Sequence, residues 1–341
     1  LEHIHLSEEL EEPELDDGRH RLLDELAEFQ DYQERAHEAQ MRIAEICTSV
    51  TQAPEKHLPI LGDLHDLCSD QDPQISRLAM LSLSAVFNDI LPGYKIRLPT
   101  AKELAMPVSK EVQKVRSYES ALLSAYQKFV KTLVFSAKHR HPVRRQAAVL
   151  SLCELAVHHP NFNYADNILT VIVKRLDSQE EAPRAAACDA VQRILKADPS
   201  GEMSWQAVGL IARVVKQRKC RVHATVVKAL RTQKYDEALW RRISDVKKDK
   251  ETRKEERKKL AKGKRRKKGL VVDYKAVNEA YEEGEAEASA KDRVKLQSRT
   301  LEIVFEVYFR ILKTAAAEGL SELSMHRVSG VPRELFECTL A

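Results

Sequence analysis

A helical pattern recurs along the chain at intervals of about 40 residues, and no other feature of the sequence limits the possible folds so strongly. The pattern is a cation, a small or aliphatic residue three positions later, and aliphatic residues seven and ten positions after the cation. It starts at Arg145, returns at Arg184, and has a looser copy at Lys219. Such spacing builds one apolar stripe on a helix, and a small residue lets a neighbouring helix approach closely. The repeat predicts an all-α solenoid of stacked helix pairs, of the HEAT or armadillo type.

The segments between these copies are also amphipathic, which favours an alternation of paired helices. Residues 163–176 and 204–216 are partners of this kind. The same unit occurs upstream, where Asp72 is expected as the N-cap of a helix and Pro73 as its first residue. The 341-residue chain has only 10 glycines, which is too few turn residues for a β-rich fold.

The stretch LPGYKIRLPT, residues 91–100, interrupts the repeat. Pro92 cannot continue a helix and Gly93 tolerates a left-handed turn, so the two residues are expected to end the preceding helix. Apolar residues at Tyr94 and at the next two alternate positions are separated by two cations. This alternation predicts an extended basic insertion with one face against the solenoid.

Two further helices are expected after the insertion. Pro107 should mark a helix start or a kink. The first helix has apolar residues on one side, namely Leu104, Val108, Val112 and Val115. The second has a strongly periodic stripe of Leu122, Tyr126, Phe129 and Leu133. We expect this second helix to be fully packed, with Leu123 and Phe129 buried.

Charged residues make up 32% of the chain, yet the net charge is only +4 because acids and bases occupy different segments. Acids dominate residues 1–30, whereas residues 247–268 contain fourteen Lys or Arg and four acids. We expect an acidic arm and a basic segment facing polyanions. The basic segment could bind RNA, be read by an import receptor, or be only a solvated linker. The candidate residues for RNA contact or nuclear import are Lys258, Lys259, Lys262, Lys264, Arg265, Arg266, Lys267 and Lys268.

Motifs of known catalytic and nucleotide-binding sites do not occur in the sequence. The histidine pairs His139 with His141 and His158 with His159 show no carboxylate or cysteine partner at metal-ligand spacing. We therefore expect no catalytic residue, metal, cofactor or small-molecule substrate. Trp205 and Trp240 are predicted to be packing anchors rather than platforms for a ligand.

The spacing of the cysteines favours an intracellular protein. The six cysteines are widely separated and lie in or beside apolar helical stretches, which predicts reduced, buried thiols. No run of eighteen apolar residues occurs, so no membrane span is expected. The chain begins with Leu1 rather than Met, and we expect it to be a fragment.

Residues 81–133, from LSLSAVFNDILPGYKIR to QKFVKTL, closely resemble the signature region of the nucleolar complex-associated protein 3 family. That region ends a helix in a phrase like vFkDIiPGYrIR and continues with one like KVSKEVkklRdyEqaLLssY. The resemblance covers about residues 40–135. The residues that carry it as a candidate site are Pro92, Gly93, Tyr94, Lys95, Ile96, Arg97, Ser109, Lys110, Glu111, Arg116 and Glu119.

A second, shorter match begins near residue 299, where RTLEIVFEVYFRILK resembles the opening helix of the CBF/Mak21-type domain that the same family carries. We therefore expect four segments in the chain. They are an acidic N-terminal arm (1–30), a helical repeat domain (31–244), a charged linker or exposed helix (245–292) and the incomplete start of a second helical domain (293–341).

The family resemblance implies a non-enzymatic scaffold of the nucleolus and nucleoplasm. Such proteins pair with nucleolar complex protein 2, associate with pre-ribosomal RNA and assembly factors on early precursors of the large (60S) subunit, and support their maturation and intranuclear transport. The alternative is a chromatin-associated factor in the initiation of DNA replication, with the same basic segment on DNA.

Overall fold

The computed structural model describes residues 15–104, 106–198, 200–232 and 274–317, and these residues form helices joined by turns and loops, without a strand. The helices are α1 (Leu15–Gln52), α2 (Pro54–His57), α3 (Leu61–Leu67), α4 (Pro73–Ile90), α5 (Ala101–Leu104), α6 (Lys110–Ser136), α7 (Pro142–His158), α8 (Ala165–Arg175), α9 (Glu181–Ala197), α10 (Glu202–Gln217), α11 (Thr225–Leu230) and α12 (Tyr274–Ala317). A 3-10 turn over Leu58–Ile60 links α2 to α3. The predicted all-α fold is confirmed.

The helices stack in two layers, as expected for a helical repeat. One layer runs from α1 through α4, α7 and α9 to α11, and each helix packs against the next. The other layer contains α3, α6, α8, α10 and α12 in the same order. Because successive helices alternate between the layers, the connecting loops fall on two opposite edges of the solenoid.

The repeated arginines occupy equivalent positions in this stack. Arg145 and Arg184 are each the fourth residue of their helix, α7 and α9. Arg145 Nη1 donates to the carbonyl oxygens six and five positions earlier, at 2.6 and 3.1 Å. Arg184 Nη1 makes the same two bonds, at 2.9 and 3.2 Å. The cation of the repeat thus closes the loop that precedes its helix.

The third copy of the repeat was predicted in the wrong register. Lys219 lies in a loop with a left-handed φ of 51°, and α11 begins only at Thr225. The next residue, Cys220, is also left-handed at φ 63° and is buried. Two successive left-handed residues cannot continue a right-handed helix, so the helix starts after them.

The predicted helix termini are confirmed in part. Asp72 Oδ1 accepts a hydrogen bond from Gln74 N at 2.7 Å and caps α4, which begins at Pro73. At its other end α4 stops because Leu91, which precedes a proline, is extended. The left-handed turn expected at Gly93 is wrong, since the described glycine with a positive φ is Gly201.

Residues 110–136, where parts of two helices were predicted, form the single helix α6, and its start lies later than Pro107. Ser109 is the N-cap of α6, and its hydroxyl oxygen accepts a hydrogen bond from Val112 N at 3.3 Å. Pro107 therefore belongs to the loop before the helix and does not kink it. The serine hydroxyl satisfies a backbone N–H that the first turn of any helix leaves unpaired.

The hydrophobic core extends through both layers of the repeat. Phe87, Tyr126 and Phe129 are among its largest fully buried side chains. The rings of Phe87 and Phe129 stack with centroids 5.4 Å apart, and Tyr126 meets Phe87 edge to face at the same distance. Leu123 is also buried, so the predicted burial of Leu123 and Phe129 is confirmed.

Helix α12 joins this core. Its residues Val304, Val307 and Ile311 are buried against the repeat, mainly on α10. Residues 274–317 form one helix, so the described part of the segment expected as a charged linker or exposed helix (245–292) is helical, and the expected boundary at 292 falls inside this helix. Helix α1 likewise runs across the expected boundary at residue 30. The assignment of the C-terminal residues to a CBF/Mak21-type domain stays a prediction.

Most of the described cysteines lie in the helical core. The described cysteines have no disulfide partner, and four of the five are buried. Burial raises the pKa of Cys68 and of Cys153 to about 12. Cys338 lies outside the described residues. No helix in the part of the chain that the structure describes is long and apolar enough to span a bilayer.

Candidate protein-interaction surface

The family-signature residues lie at one edge of the solenoid, which we call the signature edge. It consists of the insertion at residues 91–109, the first turns of α6 and the α7–α8 loop at residues 159–164. In a regular repeat this edge would carry only short turns. Here the insertion of nineteen residues connects α4 to α6, and it contains the short helix α5. Within the described repeat, no other connection between two packed helices is as long.

Asn163 holds the insertion in place with both atoms of its amide group. Asn163 Oδ1 accepts from Ile96 N at 2.9 Å, and Asn163 Nδ2 donates to Ile96 O at 3.0 Å. The amide thus pairs with the backbone of one residue in the way that a neighbouring strand would. The Ile96 side chain is buried, so this bond pair anchors the insertion on the α7–α8 loop.

The extended segment does not present a full apolar face to the solenoid as predicted. Ile96 is buried, but Tyr94 and Leu98 are 58% and 52% exposed. Tyr94 instead lies over α6, where its hydroxyl donates to Glu119 Oε1 at 2.6 Å. This bond raises the pKa of Tyr94, because the carboxylate stabilises the protonated phenol. The insertion is therefore attached to both of its neighbours.

Glu103 binds the two arginines of the signature together. Its side chain accepts from Arg97 Nη2 at 3.1 Å, and its carbonyl oxygen accepts from Arg116 Nη1 at 3.3 Å. Thr100 donates to the same carboxylate from its backbone N and its hydroxyl, at 2.7 and 3.0 Å. The bonds from Thr100, followed by the nearby arginine charges, lower the pKa of Glu103. Arg97 and Arg116 thus stabilise the conformation of the insertion.

An open groove of about 1500 Å³ runs beside the signature edge. Its apolar floor is formed by α3 and α4, with Leu83, Phe87 and Ile90 among the lining residues. Its wall is the first half of α6, which stands away from the rest of the solenoid. The lining also includes signature residues, namely Pro92, Tyr94, Lys110, Glu111 and Glu119.

Apolar side chains near the start of α6 are exposed to solvent. Val108, Val112 and Val115, predicted on one side of a helix, are all exposed. Val115 lines the groove, and Tyr118 one turn further along is partly buried there, which raises the pKa of its hydroxyl. The rim carries charges of both signs. The groove therefore has the apolar interior and mixed polar rim that are typical of protein interfaces.

The signature insertion lies within a region that is similar to a known protein family. The family model described as nucleolar complex-associated protein matches residues 38–129. The chain is 35% identical over 320 residues to nucleolar complex-associated protein 3 of Arabidopsis thaliana. It is 31% and 32% identical to the nucleolar complex protein 3 homologs of Mus musculus and Homo sapiens. The predicted resemblance to the nucleolar complex-associated protein 3 family is confirmed.

The match covers most of this chain and a smaller part of each relative. For the Arabidopsis protein the alignment includes 90% of the chain and 38% of the relative, and for the mouse protein 92% and 41%. For the human protein the shares are 83% and 38%. The chain thus spans about two fifths of the length of the curated relatives that it matches.

The structure brings together most of the signature residues of the nucleolar complex-associated protein 3 family. Tyr94 meets Glu119, and Arg97 meets Arg116 through Glu103. Gly93 and Lys95 are exposed, and neither forms a hydrogen bond or an ion pair with the described residues. The sequence alone did not point to Asn163 or Glu103. Asn163 lies 67 residues from its partner, and no periodic pattern links the two.

The remaining residues singled out in the sequence lie partly outside and partly inside the described ranges. The basic residues from Lys258 to Lys268 lie outside the described residues, and so does Trp240. Within the described ranges, no cluster of three metal-ligating side chains occurs. His158 lies 3.3 Å from Glu154, a carboxylate that the sequence reading missed, and His159 Nε2 lies 3.2 Å from the carbonyl oxygen of Asn88. Trp205 is partly exposed at a shallow pocket beside Ile303.

Proposed function

We propose that this chain is part of a non-enzymatic nucleolar scaffold that acts on precursors of the large (60S) ribosomal subunit and accompanies them toward the nucleoplasm. The relatives that match it are named nucleolar complex proteins. One observation carries the proposal: the family-matching residues 91–119 fold into an anchored surface beside an open groove. A surface of this kind suits the binding of other proteins.

The groove is the proposed site for a protein partner, for which the family resemblance suggests nucleolar complex protein 2. An α-helix with its side chains is about 10 Å wide and rises about 1.5 Å per residue. A volume of about 1500 Å³ therefore accommodates roughly a dozen helical residues. The exposed Val115 of α6 would pack against an apolar face of that helix, and the charged rim would fix its orientation.

Sedimentation tests the ribosomal part of the proposal. Tagged protein expressed in cells should co-sediment in sucrose gradients with large-subunit precursors. Treatment with RNase should release it from these fractions, whereas DNase should not. Absence from the precursor fractions would contradict the proposal, and release by DNase alone would favour the chromatin-associated alternative.

Substitution in the groove wall tests the partner site. Val115→Asp places a charge on an exposed position of the groove wall, so the fold should persist while capture of nucleolar complex protein 2 is lost. The matched control is Phe135→Asp, an exposed apolar residue at the far end of the same helix. If both variants capture the partner equally well, the groove is not its binding site.

A further inference from the structure

The edge of the solenoid opposite the signature edge carries a concentration of cations. The α3–α4 loop at residues 68–72 lies at one end of this edge and carries Asp70 and Asp72. The cations lie in the next three loops, at residues 137–141, 176–180 and 218–224 with the adjoining helix ends, and we call this part the basic edge. Residues 137–145 contain four Lys or Arg and no acid, and so do residues 216–223. Residues 174–184, which lie between them in the stack, contain three of each sign.

These loops are joined in space, although they are far apart in sequence. Arg175 Nη2 donates to Ala137 O at 2.6 Å and connects the second loop to the first. Asp177 Oδ1 accepts from His223 N at 2.9 Å and connects the second loop to the third. The two clusters without acids therefore belong to one continuous surface.

Two of the three acids in residues 174–184 are already paired with arginines of the protein. Glu180 is paired with Arg145, and its Oε2 accepts from Arg145 Nε at 3.0 Å. Asp177 is largely buried and also lies 3.5 Å from Arg218 Nε. These pairs neutralise carboxylates that would otherwise compensate the surface charge. What remains toward solvent is mostly positive.

Exposed cations without a carboxylate partner form the outer row of this edge. Within the described part of the chain, none of them has an ion-pair partner within 4.0 Å. They are Lys138, Arg140, Lys174, Lys216, Lys219 and Arg221. The left-handed backbone at Lys219 and Cys220 contributes to this row, because it buries the cysteine and leaves the flanking cations in solvent.

From this row we infer that the basic edge binds the phosphate backbone of a nucleic acid. Neighbouring helices pack about 8 to 10 Å apart, so two steps of the stack separate the outer clusters by roughly 20 Å. That distance spans about six phosphates of one strand at about 3.4 Å each. Lysine and arginine would neutralise the phosphates and release counterions, without reading the base sequence.

This inference rests on the proposed function, because a protein that acts on ribosome precursors meets RNA. The basic edge would then be a second binding site, separate from the groove. The test therefore compares an RNA duplex with a DNA duplex of the same sequence, since both present the same phosphate chemistry. Binding is measured by fluorescence anisotropy on the 341-residue chain across a series of salt concentrations. This assay needs no ribosome precursor, so its outcome is independent of co-sedimentation in cells.

The edge variant replaces Lys138, Arg140, Lys219 and Arg221 with Gln. Because each lost phosphate contact lowers the salt slope by about one, the slope should fall by about three to four. Affinity for the RNA duplex at low salt should fall on the order of tenfold or more. A loss on RNA alone identifies RNA as the ligand, and an equal loss on DNA shows recognition of the backbone in either form.

The matched control removes the same charge from the opposite edge, with Gln at Lys95, Lys102, Lys110 and Lys114, which are all exposed. It should retain most of the affinity and the salt slope. A second comparison replaces Lys264 to Lys268 with Gln, which separates binding by the basic segment from binding by the basic edge. The inference is overturned if the edge variant binds as tightly as the opposite-edge control, or if only the Lys264 to Lys268 variant loses affinity.

Discussion

The two edges of the solenoid are built by different means. On the basic edge, arginines at equivalent repeat positions close short loops by bonding to carbonyl oxygens a few residues before them. On the signature edge, an insertion is held by side chains from other helices, chiefly Asn163 and Glu119. The first edge repeats a local rule, whereas the second is a single arrangement made by long-range contacts.

This difference distinguishes a loop structure that can recur in every repeat from one that occurs once in the described repeat. A loop closed by its own helix can recur in every repeat and leaves other cations free for a polyanion. An insertion anchored from two sides has one shape, and it borders a groove that regular repeats lack. Substitutions in the core and on each edge test whether the two edges are independent of each other.

The largest effect is expected in the core beneath both edges. Phe129→Ala removes a fully buried ring that stacks on Phe87, and it should lower the free energy of unfolding by about 3 to 5 kcal/mol. Urea denaturation followed by circular dichroism measures this change. The control is Phe135→Ala on the same helix, where 75% of the side chain is exposed and a change within about 0.5 kcal/mol is expected. Equal effects of the two changes would show that the core is wrongly described.

The next effect distinguishes the two arginines of the basic edge. Arg145→Ala removes two bonds to loop carbonyl oxygens and the ion pair with Glu180, and it should destabilise the protein by about 2 to 3 kcal/mol. Arg184→Ala removes the equivalent carbonyl bonds alone, so about 1 kcal/mol is expected. The same denaturation assay measures both. A larger effect at Arg184 would contradict the role given to Glu180.

A smaller and more local effect is expected on the signature edge. Asn163→Ala leaves the backbone N–H and carbonyl of Ile96 without their partner, which should destabilise by about 1 to 2 kcal/mol. Hydrogen exchange should quicken at Ile96 and remain unchanged in the loops of the basic edge. The control is Asn161→Ala, two residues away and exposed. Faster exchange at both edges would show that they are coupled.

The smallest effect concerns pH. Partial burial of His159 lowers its pKa below the ordinary value of 6.5, since burial disfavours the charged ring. The unfolded chain then binds the proton more readily, so stability should fall as pH drops below about 6.5. His159→Gln should weaken this dependence in denaturation curves taken between pH 7.5 and about 5.5. His158→Gln, at an exposed neighbour, should leave it intact, and an unchanged dependence in His159→Gln would exclude this ring as its source.

Local rules in the sequence predicted much of the fold. The stripe that contains Tyr126 and Phe129, the cap at Asp72 and the equivalence of Arg145 and Arg184 depend on residues within one or two helical turns. The register at Lys219 was wrong because left-handed backbone at a lysine and a cysteine leaves no sequence signal.

The candidate site was less predictable. Family resemblance located the signature residues, but it did not show that Tyr94 lies over α6 or that Leu98 is exposed. The bond between Ile96 and Asn163 spans 67 residues, so it follows from the stacking of the helices and from no local pattern. The groove likewise exists only because α6 starts away from α3 and α4.

The separation of RNA binding from the signature edge can be tested directly by ultraviolet crosslinking of the protein to RNA in cells. The crosslinked peptides are then mapped by mass spectrometry. This separation predicts crosslinks in residues 137–145 and 216–223, and none in residues 91–119. Crosslinks confined to residues 91–119 would contradict it, because the signature edge would then bind RNA and the basic edge would not.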